Sequence, residues 1–122
     1  MAFTGNFMCT SFKVELLKGV HNFTNGANAF KIALYTNSAS FTAATTAYTT
    51  ANEVPNSGSY SAGGGTLTNV TPTSTGTTAF LDFANFDFTS ATITARGALI
   101  YNSTASGNPT VAVLDFGSDK TS

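Results

Sequence analysis

Few side chains in this 122-residue sequence carry reactive chemistry, and the first are Cys9 and His21, its only cysteine and only histidine. A thiol and an imidazole make a nucleophile–base pair when a third group orients the ring and an oxyanion hole stands beside the thiol. Nothing in Phe7-Met8-Cys9-Thr10 supplies either, so the expectation is a small buried cysteine and a surface histidine. One histidine and one cysteine also fall short of a closed zinc site, which takes four ligands. The acids are Glu15, Glu53, Asp82, Asp87, Asp115 and Asp119. Asp82 and Asp87 would form a glycosidase pair only if the fold held their carboxyls about 5–10 Å apart across a cleft. No Asp-rich calcium loop is present.

Other motifs have plain readings. Gly63-Gly64-Gly65 lacks the Lys-Ser/Thr ending of a phosphate loop and precedes a strand. It lets the backbone turn with positive φ, or lets another chain approach closely. Asp115-Phe116-Gly117 has the letters of the kinase magnesium motif, but a 122-residue β chain has no room for a kinase. Arg96 interrupts an apolar strand. Its head is expected at a carboxylate such as Asp82 or Asp115, the alternative being an interface ion pair. Sequons at Asn22, Asn69 and Asn102 are chance matches in an Asn/Thr-rich chain. The titratable groups do not converge, so the expectation is a protein that is not an enzyme and uses no cofactor and no metal.

The elements that would position these residues are mostly strands. Ala91 to Tyr101 alternates in period 2 and then runs apolar from Ala98, the pattern of a strand in the middle of a sheet. Thr110 to Phe116 follows across a turn-rich connection, which predicts a long antiparallel hairpin. Ala29 to Thr36, Thr66 to Thr71 and Thr77 to Phe83 read as further strands, with Pro72 to Gly76 as a turn. Phe86 and Phe88 share a face of a short segment, and Gly117 to Ser122 reads as a polar tail. Thr10 to Lys18 is the only helix, with Thr10 or Ser11 as cap, Gly19 in the left-handed position, and Phe12, Leu16 and Val20 in line. The predicted class is mainly β: an antiparallel β-sandwich or jelly-roll-like barrel with one short N-terminal helix. Its parts are an arm over 1–9, a helix over 10–19 and a β-sandwich over 29–116, in one domain spanning 1–122.

Composition narrows the partners. Charged residues make up 9% of the chain and the net charge is −1, with no basic cluster to follow a nucleic-acid backbone. No apolar stretch reaches the roughly 20 residues of a membrane span. The first six residues lack the charge and apolar core of a signal peptide, and the single cysteine suits a reducing compartment. So little charge gives little repulsion between copies, as expected of a surface that partners cover. Phe3, Phe7 and Met8 lie on an irregular arm that docks on its own core or on a neighbour, with burial against a neighbour expected. Phe41, Tyr48 and Tyr60 anchor the long excursion Asn37 to Gly58 and its exit, and are expected at an interface between copies, the alternative being that their rings fold back on their own sheet.

Several stretches together resemble a known group. They are Met1 to Thr4, Cys9 to Lys13, Phe30 to Thr36, Glu53-Val54, Tyr60 to Gly64, Thr92 to Asn102 and Asp115 to Gly117, running nearly end to end. The series resembles small proteins that tailed bacteriophages encode among their virion structural genes, and looks most like head decoration (cement) proteins. The resemblance implies a subunit made in the host bacterial cytoplasm and placed on the outer surface of the capsid. Its partners would be the major capsid protein and copies of itself in a dimer or trimer. The alternative is a tail or fibre component that recognises a host-surface glycan, with Phe41, Tyr48 or Tyr60 stacking on the sugar. These motifs carry no catalytic residue, so none is transferred.

Overall fold

The computed structural model describes residues 3–122. In chain order the elements are β1 (Phe7–Met8), α1 (Thr10–Leu17), β2 (Phe30–Tyr35), β3 (Gly65–Thr66), β4 (Asn69–Thr75), β5 (Thr78–Phe83), β6 (Thr94–Asn102) and β7 (Thr110–Thr121). Five strands form one antiparallel sheet in the order β1-β7-β6-β2-β3, and β4 and β5 form a separate hairpin. The chain is mainly β with one short helix, as expected. Its sheets do not close, so the barrel option falls.

β6 takes the central place that its pattern predicts, with β2 on one side and β7 on the other. Ala33, Leu99, Val113 and Phe7 stand as register partners in one row across β2, β6, β7 and β1. The first three are fully buried. Above that face lies the main core, closed by Phe3, Phe12, Phe23 and Phe41. Phe23 stacks on Phe30 with ring centroids 4.2 Å apart and planes within 5°. A second, smaller core gathers Val54, Tyr60, Ile93 and Ala95.

The arm is the first correction. Phe3 is 0% exposed, packed edge-on to Phe41 and seated over Gly97. A Cβ at Gly97 would collide with that ring, so the missing side chain makes room for Phe3. Phe7 and Met8 are not irregular: they pair with Val113 and Ala112 as an edge strand. Phe7 is half-buried against the core and only Met8, 53% exposed, stays open.

The helix is also corrected at its start. Cys9 is the N-cap and no side chain caps the first turn. Gly19 does end it, with φ 74°. Its N–H reaches Leu16 O, while Val20 N–H reaches Glu15 O, the double bond of a Schellman cap. Only Phe12 of α1 is buried, so the expected line through Leu16 and Val20 faces outward.

The long excursion folds back on its own sheet through bridges Tyr35–Glu53 and Ala47–Pro109. The strand expected over 66–71 breaks at buried Leu67, leaving β3 on the main sheet and β4 on the hairpin. Pro72 sits inside β4 at an irregularity between Val70 and Thr73, where a ladder N–H is not needed. The turn is Gly76-Thr77, between the partners Thr75 and Thr78. β7 runs on through the expected tail, with four residues bulged out opposite Arg96.

Candidate functional site

The densest polar site is built around Glu53. Its own N–H donates to Thr50 O, the next N–H, of Val54, donates to Leu34 O, and its bridge to Tyr35 fixes it at the sheet edge. Its Oε1 accepts the Tyr48 hydroxyl at 2.6 Å. Oε2 accepts the Tyr60 hydroxyl at 2.6 Å and the Gly63 N–H at 2.8 Å. The Tyr60 oxygen in turn accepts Leu34 N–H at 2.9 Å. Tyr101 donates to Gly63 O and stacks on Tyr48 with centroids 4.5 Å apart. Tyr35 donates to Thr49 O at 2.7 Å. All four tyrosines of the chain thus meet around one carboxylate.

That crowding holds every phenol in its neutral form. Burial pushes Tyr101 up to about 12, and the Glu53 charge adds to it. Burial likewise raises Tyr35, Tyr48 and Tyr60 well above the ordinary phenol value, again with help from Glu53. A phenol that stays neutral at ordinary pH and already donates its proton is poorly placed as a general base. This corner braces the excursion and the glycine run against the sheet. Gly63 and Gly64 have φ 99° and 84°, as positive-φ turning requires, and a Cβ on Gly64 would strike the Ile32 backbone.

His21 is buried, not on the surface. The Asn102 Oδ1 accepts Thr104 N–H and Ala105 N–H, which fixes the amide and turns Nδ2 toward the imidazole. Nδ2 lies 3.0 Å from His21 Nδ1, so that nitrogen is the acceptor and Nε2–H points at Glu15 Oε1, 2.9 Å away. Aromatic rings of Phe12, Phe23 and Phe30 surround the imidazole. Both ring nitrogens are engaged, and neither serves Cys9. Burial raises the Cys9 thiol, an effect partly offset by the Thr110 hydroxyl, and a raised thiol is a poor nucleophile. The sequons at Asn69 and Asn102 are closed, because both amides are buried in structural hydrogen bonds.

Arg96 finds Asp115, with Nε 3.1 Å from Oδ1. Asp115 is held below the usual carboxylate range, first by the Gly117 N–H at 2.8 Å and then by Arg96. Asp82 accepts its neighbour Phe83 N–H at 2.7 Å on the open surface of the hairpin. Asp87 instead lines a cleft of about 310 Å³ walled by Phe86, Phe88, Ile93 and Phe116, with Lys120 at its rim. Asp82 does not reach that cleft, so the two are not a facing pair. Among the described residues, no three His, Cys, Asp or Glu side chains gather as a metal site requires.

The six residues expected at an interface divide. Phe3, Phe41 and Tyr60 are core residues, Tyr48 and Phe7 are half-buried against the core, and Met8 is open. The aromatic anchors fold inward because each ring finds a neighbour there: Tyr35 and Tyr101 of the sheet for Phe41 and Tyr48, and Phe88 of the β5–β6 connection for Tyr60. Exposed apolar side chains lie elsewhere, at Val14, Leu16 and Leu17 on α1 and at Val70, Phe80 and Leu81 on the hairpin. The alternation of β5 held the signal for the second group, since Phe80 and Leu81 fall on opposite faces and no single sheet covers both. Comparison with family models, with curated proteins and with solved structures returned no match.

Proposed function

We propose that this chain is a structural subunit of a tailed-bacteriophage virion, a decoration protein that binds the major capsid protein and copies of itself on the head. The observation that carries the reading is where the apolar surface lies. The reactive residue types are taken up in bracing the fold, while large apolar side chains stand in solvent on α1 and on the hairpin. Leu17 is 91% exposed and Phe80 48%. Apolar surface left open in this way suits a subunit whose neighbours complete it. Many weak copies around a shell then bind strongly through multivalency.

The test is to strip the subunit from intact particles and add it back. Rebinding to heads, with heads that rupture at lower temperature when stripped, is the expected result. A protein absent from particles overturns the reading. The cleft favours a second reading, because aromatic walls beside Asp87 resemble the way proteins hold sugar rings. On that reading the chain is a tail or fibre component that binds a host-surface glycan, and labelling would place it on the tail instead of the head.

A further inference from the structure

We infer that copies of this chain join by seating the β4–β5 hairpin of one in the Phe86–Phe116 cleft of the next. The inference rests on the proposed structural role for its setting and names the contact between copies.

The hairpin is clamped only at its root. There Asn25 Nδ2 reaches Asn69 O at 2.7 Å, Asn69 Nδ2 reaches Asn28 O at 2.9 Å, and Phe83 packs against Phe23 and Phe30. Beyond the root the one further hydrogen bond to the body among the described residues is Asn25 N–H on Thr71 Oγ1 at 3.0 Å, and every residue from Val70 to Asp82 is exposed. A lone two-stranded hairpin is marginal in water, so its form is best kept by a surface outside its own fold. It reaches about 20 Å from the root, far enough to meet another copy.

One face has the chemistry of a plug. Val70 and Asp82 are register partners, and Phe80 lies on the same side two residues from Asp82. This puts two apolar side chains beside the only charge on the hairpin. The cleft has the complementary features. Its walls are apolar, and Lys120 stands at its rim, donating to the Ser118 hydroxyl at 3.1 Å and joining no ion pair among the described residues. Asp87 lies in the same lining, so the hairpin must enter with Asp82 on the Lys120 side. That charge placement fixes the direction of entry. The cleft opens just past Phe83, where the chain leaves the hairpin root for Phe86, so plug and socket lie on one molecule but serve different neighbours. Such a contact closes as a reciprocal dimer or as a ring.

The test uses purified chain in sedimentation velocity over a range of concentrations, with no capsid present, so its outcome is independent of particle binding. Wild type should form a finite oligomer. Phe80→Ser with Val70→Ser should weaken association at least about 100-fold while leaving the monomer folded. Asp82→Lys and Lys120→Glu should each weaken it about tenfold. Mixed together, these two charge variants should co-assemble, because each hairpin then meets an opposite charge in the other's cleft. A wild type that stays monomeric overturns the inference. So does self-association that survives the Phe80 and Val70 changes, or a mixture of charge variants no stronger than either alone.

Discussion

The corner around Glu53 and the β4–β5 hairpin draw on the same stock of threonine, glycine and aromatic residues, yet they end in opposite states. At the corner, one carboxylate accepts three donors and four tyrosines are packed or bonded. On the hairpin, Phe80, Leu81 and Val70 stand in solvent, and past the root threonine, serine, Pro72, Gly76, Ala79 and Asp82 keep them company. The difference is in what each segment lies against. The excursion is long enough to return to the sheet and lay its rings on Tyr35 and Tyr101. The hairpin turns on a two-residue loop and can pair only with itself. A region that answers its own polar groups stabilises the subunit, and a region that does not is available to a neighbour.

The largest way to break the first region is alkaline pH. Each tyrosine is raised in the folded state, so its contribution is fully present below about pH 10 and is lost as pH climbs toward the folded value. Tyr35, Tyr60 and Tyr101, all buried, together take away on the order of 4 kcal/mol per pH unit between about 10 and 12. Unfolding should therefore coincide with a cooperative rise of phenolate absorbance near pH 11 to 12. Phenols that ionise one by one in a chain that stays folded would contradict the closed corner.

Phe30→Ala comes next, at about 3–5 kcal/mol, because its fully buried ring stacks on Phe23 and its loss leaves a cavity among the packed rings. Urea denaturation reads the loss directly. Glu53→Gln should cost about 1–3 kcal/mol, since an amide cannot accept from Tyr48, Tyr60 and Gly63 at once. Its signature is a lower onset of tyrosine ionisation along with the lower melting temperature. Smallest of all is Phe80→Ser, within about 0.5 kcal/mol for the monomer, as for any exposed position. A loss as large as that of Phe30→Ala would place the hairpin in the subunit's own stability and erase the contrast.

Much of the sheet was legible from pattern. β2 lies within its predicted range, and the β6–β7 hairpin shows its central place through alternation followed by an apolar run. Gly19 marked the helix end because few residues other than glycine settle at φ 74°. The arm and the excursion were misread outward because aromatic rings on irregular backbone carry no period. Only tertiary contact says which way Phe3, Phe41 or Tyr60 turns. Glu53 did leave a trace: it is the only acid between Glu15 and Asp82. A lone carboxylate in a stretch that supplies three of the four tyrosines suggests internal use, but spacing alone cannot bring Tyr101 to the same place. His21 was missed for a similar reason, since its partners Glu15 and Asn102 lie on opposite sides of it in sequence, 6 and 81 residues away.

The pairing of β1 with β7 sets a timetable. Phe7 and Met8 leave the ribosome early, but their partners Val113 and Ala112 follow about 100 residues later, a delay of about 5–20 s at ordinary rates of synthesis. Phe3 waits as long, because the seat it fills over Gly97 is walled by Leu114 of the same late strand. β1 is thus made long before it can find its place, and until then its apolar side chains are open to other nascent chains. Chaperone demand should peak in that interval, and a chain halted before β7 should aggregate while the finished one stays dispersed.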